Sequence, residues 1–317
     1  MSILLAIVLL IVGLAVLVVG AEVLVKGAAQ IATHLGLSHF AVGVTVVAFG
    51  TSAPELFASI GAAVQGVPDL AIGNVVGSNI ANILLILGVG AFVAPIGVHR
   101  RVRLVELPIM IAITIAVVLL VLDHRLTRIE GGLLVLGLVG YVIFIIRAHK
   151  EDIEHGFDES AGTPKPVWID LLFIVGGIIG LGLGAKALVA GASQLALRAG
   201  VSEGVVGTTV VAFGTSLPEL AATIRAATNK QTDIAVGNVI GSNVFNLLSV
   251  LGVTALVTPL TMRDPSMMTH VWVMLGVSGL LLVLCVLRPV LGRVIGGAFV
   301  AAYLAYVIVS YTLLGSN

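Results

Sequence analysis

Two glutamates stand where a carboxylate is costly to keep. Glu55 and Glu219 each lie deep in an apolar stretch and each follows a proline, in Gly50-Thr51-Ser52-Ala53-Pro54-Glu55 and Gly214-Thr215-Ser216-Leu217-Pro218-Glu219. An ionisable group in such surroundings faces a cavity or a partner and marks a functional site. Each proline lacks the N–H that would bond the carbonyl four residues back, on Gly50 or Gly214, so a helix through the motif is expected to open there. Irregular backbone at membrane depth is tolerated only where protein or a wet cavity covers it. Four-residue spacing predicts that Thr51 shares a helix face with Glu55, Thr215 with Glu219, Ser78 with Asn82 and Ser242 with Asn246. The pooled donors are all oxygen: two carboxylates, the hydroxyls of Thr51, Ser52, Thr215 and Ser216, amide oxygens and main-chain carbonyls. Hard cations such as calcium favour this set and soft metals do not. Two carboxylates balance one divalent ion.

Other residues have plainer readings. The small-residue pairs Gly73/Gly77 and Gly237/Gly241 are packing devices, and single Ser or Thr residues in a span often bond their own backbone. Asn79 and Asn243 read as structural braces. Glu22, Glu106 and Asp123 receive no role, since Glu22 has Lys186 at its repeat position and the other two flank a span. His149 and His155 fall in a hydrated loop rather than a metal site.

The elements that hold these residues must be membrane spans. Of 317 residues, 59% are hydrophobic and 10% charged, and the mean hydropathy is +1.18. A soluble domain carries about 25% charged residues, so the lipid bilayer is the partner this surface needs. Zero formal net charge and the lack of a basic tract exclude nucleic acid as a partner, and no protein partner is implied. The single Cys285 forbids an intramolecular disulfide. The chain is apolar almost from Ser2, without the basic start of a cleaved signal peptide, so the first span is expected to be retained.

Ten stretches approach the roughly 20 residues a span requires: 3–31, 40–64, 70–93, 104–122, 129–146, then 167–197, 205–227, 234–257, 268–287 and 290–314. The first and sixth exceed the minimum and are expected to tilt. The segment 147–165 is polar, with Glu151, Asp152, Glu154, Asp158 and Glu159. It divides the chain into halves, 1–150 and 167–317, joined by a connector at 151–166. Lys and Arg set the orientation. With an outside N-terminus, eleven fall on the inside and five on the outside. Both termini are therefore expected outside and the connector in the cytoplasm of a cell with this protein in its inner membrane.

The halves repeat one another. Gly73-Asn74-Val75-Val76-Gly77-Ser78-Asn79 recurs as Gly237-Asn238-Val239-Ile240-Gly241-Ser242-Asn243, and the same 164-residue offset relates Glu55 to Glu219. Over 41–60 and its partner 15 of 20 residues are identical, and over 69–88 and its partner 12 of 20. Five spans per half is an odd number, so the second half should lie upside down relative to the first. The expected fold class is an all-α integral membrane protein of ten transmembrane helices in two inverted-topology five-helix repeats, an architecture of secondary transporters.

The paired Gly-Thr-Ser-x-Pro-Glu and Gly-Ser-Asn motifs resemble the alpha repeats of the calcium/cation antiporter superfamily, and most closely those of the short prokaryotic sodium/calcium exchangers. The resemblance covers both halves. It implies a secondary antiporter in which calcium and sodium compete for one cluster under alternating access, with these ions as substrates and no cofactor. It implies that Glu55 and Glu219 are shared calcium and sodium carboxylates, with Thr51 and Thr215 adding oxygen ligands. Ser52 and Ser216 would be sodium-site hydroxyls. Ser78, Asn82 and Ser242 would complete the cluster, helped by the main-chain oxygens of Ala48 and Ala212. The long first and sixth spans would slide across the rest. Asn246 departs from some relatives, including the potassium-dependent branch, which carry Asp there. That argues against potassium co-transport and leaves the ion stoichiometry open.

Rival readings have their own signatures. A calcium/proton antiporter of the same superfamily would use the two glutamates as proton carriers, against which the sodium-suited hydroxyls weigh. A passive channel fits a closed midplane cluster poorly. A membrane enzyme would need a base beside Ser52 or Ser216, and the sequence has no GxSxG or HExxH pattern.

Overall fold

The computed structural model describes residues 2–149, 166–199, 212–264 and 266–310. Nearly every ordered element is helical. The first half holds α1 (Ile3–Leu35), α2 (His39–Thr51), α3 (Ala53–Val64), α4 (Pro68–Val93), α5 (Val102–Leu120) and α6 (Arg128–Ala148). The second holds α7 (Val167–Arg198), α8 (Ala212–Thr215), α9 (Leu217–Thr228), α10 (Thr232–Val257), α11 (Met267–Leu287) and α12 (Arg293–Val309). Local sequence sets several ends. The Ser2 hydroxyl caps α1, and Gly36 closes it at φ 61°, a left-handed turn that glycine adopts without strain. Thr127 and Glu130 form a capping box at the start of α6.

Among the described residues, seven helices are long and apolar enough to cross a bilayer: α1, α4, α5, α6, α7, α10 and α11. The pair α2–α3, bent by 42°, would be an eighth, and α12 is apolar but shorter. The stretch 205–227 lies partly outside the described residues, as do the end of 290–314 and the connector from residue 150 to 165. One reading of that region is corrected. His149 is not in a hydrated loop. It is buried, with Nε2 3.1 Å from Glu106 Oε1 and Nδ1 3.0 Å from the Ser38 hydroxyl, because α6 runs on to Ala148 and carries it against the packed ends of α2 and α5.

α4 and α10 form the centre of the bundle, while α1 and α7 turn most of their surface outward. These two long helices lie antiparallel along a seam of glycines. Gly13 meets Leu188, Gly20 meets Leu181 and Gly27 meets Ile174, while Gly177 meets Leu24, Gly184 meets Leu17 and Gly191 meets Leu10. A Cβ on Gly20 would stand 2.8 Å from the Leu181 nitrogen, and one on Gly184 2.7 Å from that of Leu17. The backbones touch because no side chain intervenes, which replaces lipid with dispersion contact.

Four two-residue strands tie the halves together: β1 (Ile96–Gly97), β2 (Arg125–Leu126), β3 (Leu260–Thr261) and β4 (Val290–Leu291). β1 pairs antiparallel with β4, and β2 with β3. Each pair takes one strand from each half. Each ribbon is extended by one main-chain bond, Val98 N–H to Pro289 at 2.7 Å and Met262 N–H to His124 at 2.8 Å.

Candidate ion-binding site

The helices break inside the proline motifs, two residues before each proline. Ser52 lies between α2 and α3 with φ −82° and ψ 3°, and Ser216 lies between α8 and α9 with φ −90° and ψ 4°. Thr51 and Glu55 therefore belong to different helices, as do Thr215 and Glu219, and do not share one helical face as their spacing predicted. The break turns both groups toward the same point. Pro54 and Pro218 fall in the first turn of the following helix, where their lack of an N–H is harmless.

The two breaks interlock. The Ser52 hydroxyl donates to Glu219 Oε1 at 3.1 Å, and the Ser216 hydroxyl donates to Glu55 Oε1 at 3.3 Å. Thr51 stands close to Glu219, and Thr215 to Glu55. Thr51 donates to Asn238 Oδ1 at 3.1 Å and lies 3.3 Å from the Ala48 carbonyl. Both glutamates are 1% exposed. Each uses one carboxylate oxygen on a serine, and each leaves Oε2 with no hydrogen-bond partner among the described residues. A buried carboxylate oxygen without a donor is expensive, and a cation between the two glutamates would offset that cost.

α4 and α10 line the other side. Each changes to π-helical winding at its asparagine, over Asn82–Leu87 and Asn246–Val250. Such turns locally loosen the backbone ladder and recur at functional sites. Asn82 donates to Asn243 Oδ1 at 3.1 Å and leaves its own Oδ1 unbonded. Among the described residues the Ser242 hydroxyl and both side-chain polar atoms of Asn246 also lack partners, and all three residues are at most 1% exposed. Ser78 is buried on α4 one turn before Asn82. Gly237 and Gly241 let α10 press on α2, where a Cβ on Gly241 would stand 2.5 Å from the Val44 carbonyl and 2.7 Å from Cβ of Ala48. This contact holds Ala48 beside the cluster. Ala212 opens α8.

Two residues carry more than the sequence indicated. Asn74 donates to the Glu55 carbonyl at 3.2 Å and to the Ser59 hydroxyl at 2.9 Å. Asn238 does the same to the Glu219 carbonyl at 3.3 Å and to Thr223 at 2.9 Å. These asparagines hold the main chain of each glutamate, and their repetition in both motifs was the available signal. Asn79 is a brace, as expected, donating to the Val75 carbonyl at 2.7 Å. Asn243 braces Asn82 across the halves.

Residues 5–147 and 169–312 match the family model described as sodium/calcium exchanger protein. The chain is 37% identical to the inner membrane protein YrbG of Escherichia coli strain K12 over 98% of both chains. It is 32% identical to the sodium/calcium exchanger MaX1 of Methanosarcina acetivorans, over 89% of this chain and 92% of that one. The solved structure of the sodium-calcium exchanger NCX_Mj soaked with 10 mM Na+ and zero Ca2+ superposes with a TM-score of 0.86 at 31% identity, over 98% of this chain and 100% of that one.

Proposed function

This chain belongs to the sodium/calcium exchanger family, a family of membrane antiporters and not of enzymes, and we propose that it moves calcium against sodium through the Glu55–Glu219 cluster by alternating access. The observation that carries this reading is the reciprocal pair Ser52–Glu219 and Ser216–Glu55, which leaves one bare carboxylate oxygen on each side of a single buried site. Two carboxylates neutralise one calcium ion, and the surrounding hydroxyl and amide oxygens suit its demand for six to eight oxygen ligands. The ligands in this reading are Glu55, Glu219, Thr51, Thr215, Ser52, Ser216, Ser78, Asn82, Ser242 and Asn246, with the main-chain oxygens of Ala48 and Ala212. Sodium ions take the same oxygens in turn, with Ser52 and Ser216 near the carboxylates they now bond. Each ion set offsets the charge that the other leaves behind.

The same proposal has ten spans in two inverted repeats. Its support is that cross-half contacts come in exchanged pairs. Ser52–Glu219 is matched by Ser216–Glu55, β1–β4 by β2–β3, and Gly20–Leu181 by Gly184–Leu17. A two-fold axis generates such pairs, and five spans per half put that axis in the membrane plane. The excess of Lys and Arg on one set of loops supports an orientation with both termini outside and the connector in the cytoplasm.

Calcium uptake into vesicles carrying the purified protein tests the function. Uptake should follow an outward sodium gradient. Uptake that follows a proton gradient and ignores sodium would replace the reading with calcium/proton exchange, and uptake needing no opposing ion would make the protein a channel.

A further inference from the structure

Glu22 is an acidic residue in the middle of α1, and the ion site does not use it. Its Oε2 accepts from the Arg225 guanidinium and, at 3.2 Å, from the Asn229 amide, both at the end of α9. Its Oε1 pairs with Lys26 at 2.9 Å, on its own helix. The contact to Arg225 and Asn229 therefore ties α1 to the second half on the side of the Thr228–Gln231 turn. α1 packs closely along α9 there.

The repeat makes the tie informative, because every one of these positions has a counterpart 164 residues away and none can form the same contact. Glu22 corresponds to Lys186, Arg225 to Gly61 and Asn229 to Gln65. Lys186 is exposed. A Cβ on Gly61 would meet nothing within 4 Å among the described residues, and α7 does not pack along α3 as α1 does along α9. One side of the bundle is thus covered by α1 and bonded, and among the described residues the equivalent side has neither this cover nor this bond. The glycine seam couples α1 to α7 by backbone contact, so a shift that frees α1 from α9 carries α7 with it.

Resting on the exchange reading above, we propose that Glu22, Arg225 and Asn229 form a one-sided latch that holds the side of the Thr228–Gln231 turn closed and biases the exchanger toward opening on the opposite side. In the proposed orientation, the latched side is cytoplasmic. The pair is partly solvated, with side chains 22% and 39% exposed. Such ion pairs change an equilibrium by roughly two- to fivefold, enough to tune a nearly balanced pair of states without blocking the cycle. A site that is available in only a fraction of molecules has its apparent affinity reduced by that fraction. Removing the latch should therefore strengthen apparent calcium affinity on the latched side and weaken it on the other.

The test measures calcium KM separately from each face in vesicles of uniform orientation. Glu22→Gln and Arg225→Gln should each move the ratio of the two values by about two- to fivefold, in the same sense. Lys26→Gln, which removes a contact within α1 only, should leave the ratio unchanged. Lys186→Glu combined with Gly61→Arg, which builds the missing counterpart, should move it the other way. A readout independent of transport is the labelling rate of a Gly61→Cys reporter in a Cys285→Ala background by a membrane-impermeant maleimide. Glu22→Gln should slow this labelling as α7 moves over α3. An unchanged ratio with unchanged labelling, or equal losses of affinity on both faces, overturns the latch. If the wild type shows no sodium-driven flux, the function proposal fails, and the labelling arm still decides whether Glu22 sets the conformational balance.

Discussion

Ser52 and Glu219 are 167 residues apart in the chain and 3.1 Å apart in space, the serine hydroxyl donating to one carboxylate oxygen while the other has no partner. Ser216 and Glu55 repeat the relationship at 3.3 Å. Each half of the chain thus supplies the carboxylate that the other half orients.

Replacing either carboxylate by its amide is expected to end exchange and spare the fold. Glu55→Gln and Glu219→Gln keep the shape of the side chain and the serine contact, but leave a divalent ion half-neutralised in a buried site. Removing one partner of a buried charge pair costs about 3–5 kcal/mol, a loss of more than about a hundredfold in calcium affinity. Sodium-driven calcium flux and detergent melting curves check this. A well-folded variant with near-normal flux would show that the site lies elsewhere.

The serines should affect the two ions unequally. In Ser52→Ala and Ser216→Ala, one carboxylate loses a charge-assisted hydrogen bond worth about 1.5–3 kcal/mol. Both variants should require about tenfold or more sodium for half-maximal calcium efflux. Because the contacts are mirror versions of one another, the two variants should agree closely. The measurement is a sodium titration of calcium release, and a defect in only one of them contradicts the shared site.

Asn246 is expected to govern ion dependence. Its amide presents a neutral oxygen where an aspartate would present a full charge, and neither polar atom has a partner among the described residues. Calcium flux in the wild type should be the same with potassium or with choline. Asn246→Asp adds a third carboxylate beside Glu55 and Glu219, which must be balanced by another monovalent cation or a proton. The variant should therefore acquire a potassium or pH dependence that the wild type lacks. A strict potassium requirement in the wild type would refute the assignment.

The glycine seam between α1 and α7 gives a prediction with an internal control. A Cβ on Gly177 would stand 2.6 Å from the Leu24 nitrogen, which belongs to a helix backbone and has little freedom to move. Gly177→Ala should lower stability by about 1–3 kcal/mol and reduce flux. Gly182→Ala lies on the same helix, where no described atom is within 4 Å of the added carbon, and it should be silent. Melting of the purified protein in detergent distinguishes the two. Equal effects would mean that the seam does not hold the pair.

Gly66 and Lys230 occupy matching positions in the two halves, and both adopt positive φ, 80° and 60°. With inverted repeats, Gly66→Cys and Lys230→Cys should react with impermeant reagents from opposite faces of the membrane. Labelling from the same face would mean that the repeats run parallel.

The sequence alone determined that the chain lives in lipid, that its halves are copies, and which buried oxygens are the candidates for an ion site. Those features are local or periodic: a run of apolar residues, a motif and its repetition, a carboxylate after a proline. Tertiary structure decided how they combine. Four-residue spacing put Thr51 and Glu55 on one helix face, but the break falls between them at Ser52 and leaves them on separate helices. No local pattern revealed that Ser52 would serve Glu219, since that contact exists only when α2 and α9 are brought together. The π-helical turns at Asn82 and Asn246 have no clear sequence signal either. Polar residues near span ends were the hardest to place. By sequence Glu22 and Glu106 have no role and His149 lies in a hydrated loop, whereas the packing of distant helices pairs Glu106 with His149 beneath Ser38 and Glu22 with Arg225. A polar side chain at the edge of the bilayer has water as an alternative partner, so only the position of its neighbours in space decides which partner it takes.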